Sequence, residues 1–201
     1  MSNYKFTMDF NYDGGAKQNI TEIINKFGLP NTYIEVGVFE GGTTFWLSDS
    51  ITPHNKNFKL YTIDPHDVSD DMSENLRDIK NNFMHNLNQN KFKNITHIPK
   101  YSDDGLIDLI NQNVKAELIY IDGDHTASVV MSDLVLAFRL LVRGGVILCD
   151  DSVDWKFKDK TNFSAAQLSP RMAVESFIQC NWHKLQPLRL SYGSQTAFIK
   201  L

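Results

Sequence analysis

A chain of 201 residues, 42% apolar and 22% charged, has the size and composition of one folded domain with its own core. Its formal charge of −4 leaves no basic footprint for nucleic acid, and no apolar run has the length of a membrane span. The opening Met1-Ser-Asn-Tyr-Lys-Phe6 lacks a secretory leader pattern, and the widely separated Cys149 and Cys180 read as buried free thiols in a reducing cytoplasm.

In chain order, Ala16 to Phe27 carries Ile20, Ile23, Ile24 and Phe27 on one helical face, and Gly28 and Pro30 stop it. Thr32 to Val38 is a β-branched strand, followed behind Gly41-Gly42 by a short helix from Thr43 to Ser50. Lys59 to Ile63 is a second strand closing in Asp64-Pro65, after which His66 and Asp67 read as the start of a solvated loop. Ser73 is placed to cap a helix carrying Leu76, Ile79, Phe83 and Leu87. Ile95 to Ile98 is a third strand, Asp103 to Gln112 a helix, and Leu118 to Ile121 a fourth strand. A helix from Thr126 to Leu141 stops at Arg143-Gly144-Gly145, and Val146 to Cys149 is a fifth strand. Then follow a helix from Pro170 to Cys180, a strand from Trp182 to Leu188, a Tyr192-Gly-Ser turn and a strand from Thr196 to Lys200.

Alternating strands and helices predict an α/β fold: a Rossmann-like, doubly wound, mostly parallel sheet ending in an antiparallel β-hairpin. No repeat or linker divides the chain, so a single domain over 1–201 is expected. Residues 1–15, with Tyr4, Phe6, Phe10 and Tyr12, read as a flap or a surface pack. Residues 151–169, with Asp154-Trp155-Lys156-Phe157, read as a lid over an acceptor site.

The chemistry concentrates in two segments, Leu118-Ile-Tyr-Ile-Asp-Gly-Asp-His125 and Gly144-Gly-Val-Ile-Leu-Cys-Asp-Asp151. Each is a short apolar run ending abruptly in acid, as a buried parallel strand does where it reaches the sheet edge. The intervening helix brings both ends to one edge, so Asp122, Asp150 and Asp151 converge where open α/β sheets bind ligands. Gathered carboxylates repel unless a cation or proton lies between them, which points to a divalent metal. A second feature is the strand-to-helix turn with Gly37, Gly41 and Gly42, preceded by Glu35 and followed by Asp64 at the position of a ribose-binding acid. Its spacing is not that of a dinucleotide fingerprint. The glycines alone also fit a plain tight turn, and Asp124 and Asp151 also fit helix caps.

Glu35-Val-Gly-Val-Phe-Glu-Gly-Gly-Thr-Thr44 resembles the first motif of class I S-adenosylmethionine-dependent methyltransferases. Ile121-Asp-Gly-Asp-His125 with Leu141-Val-Arg-Gly-Gly-Val146 and Asp150-Asp151 is similar to the metal-dependent small-molecule O-methyltransferases, nearest the antibiotic-sugar enzymes and more distantly catechol O-methyltransferase. The resemblance implies that Glu35, Gly37, Gly41, Gly42 and Thr43 hold the methionine part of S-adenosylmethionine. It implies that Asp64 accepts from both ribose hydroxyls, that Ser102 and Asp103 contact adenine, and that Asp122 borders the cofactor. Asp122, Asp150 and Asp151 would hold Mg²⁺, and Asp124 or His125 would be the general base. The implied partner is a small-molecule hydroxyl, such as a saccharide or glycosylated metabolite, with a homo-oligomer left open.

Two other readings compete: an NAD-dependent dehydrogenase or epimerase, and a non-catalytic nucleoside-binding protein. Against the first, the glycine spacing is wrong and no Tyr-x-x-x-Lys pair occurs.

Overall fold

The computed structural model describes residues 3–7, 15–67, 75–152, 169–193 and 195–201. The cap at Ser73, the aromatics Phe10 and Tyr12, and Asp154, Trp155, Lys156 and Phe157 of the expected lid lie outside them.

The described elements are α1 (Ala16–Phe27), β1 (Thr32–Val36), α2 (Gly42–Ile51), β2 (Lys59–Ile63), α3 (Asn75–Gln89), β3 (Ile95–Ile98) and α4 (Ser102–Asn111). They continue with β4 (Ala116–Ile121), α5 (Ala127–Leu140), β5 (Leu141–Cys149), α6 (Pro170–Asn181), β6 (Leu185–Leu188) and β7 (Thr196–Lys200). The seven strands form one sheet in the order β3-β2-β1-β4-β5-β7-β6. The first five run parallel, and β7 is antiparallel to both β5 and β6. This is the expected Rossmann-like sheet with its terminal hairpin.

Side chains alternate across the sheet as strand geometry demands. Ile34, Val36, Ile119, Ile121, Ile147 and Cys149 pack on one face against α4, α5 and α6. Tyr33, Leu118, Tyr120, Val146 and Leu148 pack on the other against α1 and α2. Burial on both faces explains why the central strands read as unbroken apolar runs.

Some boundaries differ from the sequence reading. β1 stops at Val36 rather than Val38 because Gly37 takes the left-handed conformation, φ 79°, which a strand cannot continue through. The α5 helix ends at Leu140, and β5 starts directly at Leu141. The expected stop, Arg143-Gly144-Gly145, lies in an irregular stretch between the pairs Ala116–Leu141 and Leu118–Val146. The strand expected from Trp182 begins at Leu185, since α6 runs on to Asn181. Cys180 is exposed, not buried; only Cys149 belongs to the core.

Register sets up the site. Val36 pairs with both Ile63 and Ile121, and Ile121 pairs with Cys149, so these four strands end level. Gly37, Asp64, Asp122 and Asp150 are the residues that follow. The strand order reverses between β1 and β4, the switch point at which such sheets bind ligands.

Candidate active site

The turn from β1 to α2 is held by β2. Asp64 Oδ2 accepts from the N–H groups of Val38 (2.9 Å) and Phe39 (3.2 Å), while Oδ1 accepts from the His66 N–H at 2.7 Å. A carboxylate offers about four lone-pair directions, so one remains, on Oδ1. That direction is left for one further donor. His66 is buried, not solvated. Its Nε2 lies 2.8 Å from the Phe39 carbonyl, and its ring packs beside Phe83 and His97. Burial lowers the His97 pKa to about 4, so this ring pair carries no charge on His97 near neutrality.

The glycines answer to protein neighbours. A Cβ on Gly37 would come within 2.1 Å of the Asp122 carbonyl oxygen, and one on Gly41 within 2.2 Å of the Phe45 ring. Gly37 thus lets the first loop press against the Asp122-Gly123 turn. Gly41 precedes α2, which opens at Gly42 and Thr43. The first N–H groups of that helix have no earlier carbonyl to bond to, and they make an anion-favouring end.

Glu35, 2% exposed, accepts from Thr44 Oγ1 at 2.7 Å. Burial, with a smaller push from Asp64 and a counteracting hydrogen bond from Thr44, raises its pKa to about 8. Glu40, also buried, takes the Thr7 N–H and hydroxyl and the Asn82 amide. Asn86 bonds to both the N–H and the carbonyl of Lys5. Residues 3–7 are therefore strapped beside the first loop, with Tyr4 stacked on Phe45 at 4.9 Å.

At the ends of β4 and β5 the acids divide. One donor atom from each of Asp122, His125 and Asp151 lies within 4.8 Å of the others, and His125 Nε2 is 2.9 Å from Asp151 Oδ2. Asp150 turns inward. Its Oδ2 is 2.5 Å from the Tyr120 hydroxyl, and its Oδ1 accepts from the Asp151 N–H at 2.8 Å. The same hydroxyl lies 3.1 Å from Asp122 Oδ2. Burial first, then mutual repulsion, holds the Asp122 carboxyl well above the usual carboxylate range; burial raises Asp150 too. The hydrogen bond to Asp151 raises the pKa of His125, in spite of partial burial.

Asp124 is exposed and its Oδ1 accepts from the Thr126 N–H at 2.5 Å, a local side-chain turn just before α5 rather than a helix cap. Ser102 opens α4, and Asp103 is exposed with Oδ1 on the Asp104 N–H. Asp133 on α5 is buried with no hydrogen-bond partner for either carboxylate oxygen among the described residues, and burial first, with Asp103 and Asp124 adding to it, raises its pKa to about 6.

Sequence reasoning missed Tyr120, Glu40, Asp133 and the burial of His66. Tyr120 is hidden in an apolar run, and Asp133 in a helical one. Tyr33 belongs with them: its hydroxyl is buried with no hydrogen-bond partner among the described residues, and its pKa lies far above the ordinary value through burial and then through Glu35 and Asp122.

Residues 34–152 match the family model described as a methyltransferase domain. The chain is 32% identical over 145 residues to uncharacterized protein R132 of Acanthamoeba polyphaga mimivirus. That match covers 70% of this chain and 59% of that relative's length. The O-methyltransferase from Bacillus cereus, solved in complex with S-adenosylhomocysteine, matches with a TM-score of 0.66 at 18% identity, over 92% of this chain and 81% of its own. The MycE methyltransferase of the mycinamycin biosynthetic pathway, solved with Mg and S-adenosylhomocysteine, matches with a TM-score of 0.63 at 14% identity. That match covers 92% of this chain and 49% of MycE. At these identities the likeness is one of fold. Among the described residues no helix is long and apolar enough to cross a membrane.

Proposed function

The chain belongs to the methyltransferase-domain family and has its class I, Rossmann-like fold, and from that premise we propose that it transfers a methyl group from S-adenosylmethionine to a hydroxyl oxygen of a small molecule, with Mg²⁺ held at the acidic corner of the site. The observation that carries this reading is the cluster Asp122, His125 and Asp151, at the same sheet edge as Asp64. Two carboxylates among three convergent donor atoms suit a hard divalent cation. The Mg and S-adenosylhomocysteine in the MycE structure support the pairing of cation and cofactor.

The cofactor supplies a methyl group on a positively charged sulfur, and the cation supplies charge that makes a neighbouring hydroxyl more acidic. The chain's residues do the rest. Asp64 Oδ1 receives a ribose hydroxyl while Oδ2 keeps the first turn closed. Glu35, once ionised, meets the methionine ammonium beside the start of α2. Ser102 and Asp103 flank adenine. Asp122 and Asp151 hold the cation. His125, whose Nε2 faces Asp151, collects the acceptor's proton on its other ring nitrogen and is stabilised in its charged form by that carboxylate, which favours it as the base over Asp124, tied to the Thr126 N–H. The acceptor is a small diol, a saccharide or glycosylated metabolite by preference, and neither nucleic acid nor membrane is required.

Titration calorimetry with S-adenosylhomocysteine and with Mg²⁺ tests the division of labour. Asp64→Ala is expected to weaken the nucleoside at least ~10-fold and to spare Mg²⁺, on the scale of a lost charged hydrogen bond. Asp151→Ala is expected to do the reverse and to abolish Mg²⁺-dependent turnover. Equal loss in both variants, or no nucleoside binding by the wild type, overturns the reading.

A further inference from the structure

A line of buried polar side chains runs from α1 to the strand-end acids. Asn19, on α1, is fully buried, and its Nδ2 donates to the Tyr192 carbonyl and to Gln195 Oε1, both at 2.7 Å. Its Oδ1 accepts from the Tyr192 N–H at 3.3 Å. Gln195, just before β7, is oriented by that contact, so its Nε2 donates to the Tyr120 hydroxyl at 3.3 Å. Tyr120, in β4 and 1% exposed, then faces Asp150 at 2.5 Å and Asp122 at 3.1 Å.

The direction of the line matters. Asn19 is bound on both its amide oxygen and its amide nitrogen, which fixes which end of Gln195 points at the phenol. Gln195 therefore offers Tyr120 a hydrogen, so the phenol oxygen is an acceptor on that side and keeps its own hydrogen for the acids. A buried network with its members paired in this way is rigid, and removing one member leaves the others unsatisfied.

Asp150 is the member this arrangement controls. With Oδ2 on the phenol and Oδ1 on the Asp151 N–H, both of its oxygens are engaged, and it is not among the residues whose donor atoms converge, Asp122, His125 and Asp151. The second bond also fixes the peptide of Asp151, which sits in the left-handed region at φ 47°, uncommon for a residue other than glycine. The same hydroxyl lies 3.1 Å from Asp122 Oδ2, so its one hydrogen is shared between the two carboxylates.

Resting on the proposed cation site, we infer that Tyr120 is a positioning residue. Its hydroxyl, held by Gln195 and Asn19, keeps Asp150 turned inward and sets Asp122 and Asp151 at the geometry that binds the cation. It touches neither cofactor nor acceptor. It acts only through the two carboxylates.

The test is calorimetry of the full chain with Mg²⁺ alone, and separately with S-adenosylhomocysteine in chelator. Tyr120→Phe keeps the ring and removes the hydroxyl, and is expected to weaken Mg²⁺ by about 10-fold or more, as loss of groups that orient metal ligands does. Nucleoside affinity should stay within about twofold, within the spread of a substitution that touches no binding group. Gln195→Met, which leaves the phenol in place but unheld, should weaken Mg²⁺ in the same direction by less, again without moving the nucleoside. A merely structural role for the hydroxyl would lower the melting temperature and shift both ligands together. Unchanged or tighter Mg²⁺ binding in Tyr120→Phe, or a parallel loss of nucleoside, overturns the inference while the proposed reaction stands. A wild-type chain that takes the nucleoside but no Mg²⁺ overturns the cation site and this inference together.

Discussion

Glu35 carries the sharpest consequence at the scale of single residues. With its pKa raised to about 8 by burial, it is mostly neutral at pH 7 in the folded chain, against an ordinary value of 4.5. A raised acid stabilises the fold fully below its unfolded value. That contribution is lost as pH climbs through 4.5 toward 8, because the unfolded chain ionises first. A ligand ammonium beside Glu35 reverses the preference and drives the proton off. Binding of S-adenosylhomocysteine at pH 7 is therefore expected to release up to one proton, read as a dependence of the calorimetric enthalpy on the buffer's ionisation enthalpy. Glu35→Gln should abolish that dependence; its persistence would show that the proton comes from elsewhere.

The same scale shows what a sequence conceals. Asp122, Asp150 and Asp151 stand out because acid follows an apolar run without transition. The pairing of Asp150 with Tyr120 does not, since one face of β4 has to be known before that phenol can be aimed. Gln195 and Asn19 are 176 residues apart, and each looks like an ordinary polar residue until the sheet brings them together. His66 was read as solvated because it follows Asp64-Pro65 in a polar stretch. Its ring is buried by Phe83 from α3, which no local pattern announces.

Elements were legible where periodicity had clear punctuation. β2, β3 and β7 fall where the apolar runs and their flanking residues put them. β1 and β5 differ because their ends are set by backbone conformation and by register with β4, not by composition. The β1–α2 turn shows how closely two elements depend on each other. Gly37 has φ 79° and leaves only 2.1 Å between a would-be Cβ and the carbonyl of Asp122. Gly37→Ala combines backbone strain with a forced separation of the β1 and β4 loops. It should cost about 2–4 kcal/mol of stability in urea unfolding and weaken both ligands, since both loops carry residues of the proposed site. A loss of less than about 0.5 kcal/mol, the range of an indifferent surface change, would mean the loops are not pressed together as described.

For the whole molecule, the alternation of strands and helices was enough to anticipate a doubly wound sheet, and the late pair of strands its hairpin. The strand order was not legible, because nothing local says that β7 rather than β6 lies against β5. The edge where β1, β2, β4 and β5 end level belongs to no single element, so a ligand seated there ties the molecule together. S-adenosylhomocysteine at 100 times its dissociation constant should add about 2.7 kcal/mol to the unfolding free energy. At the same concentration Asp64→Ala should gain much less. A melting curve that ignores the ligand in the wild type would contradict a site built across the whole edge.

The position of β7 bears on how the chain is made. β6 is synthesised before β7 yet reaches the sheet only through it, so a ribosome-bound chain holds at most the five parallel strands until Lys200 has emerged. Gln195 arrives with that last strand. A nascent chain stopped short of it carries Asp122, Asp150 and Asp151 on level strand ends, but with no amide behind the Tyr120 phenol. The acids are synthesised before the side chain that steadies them.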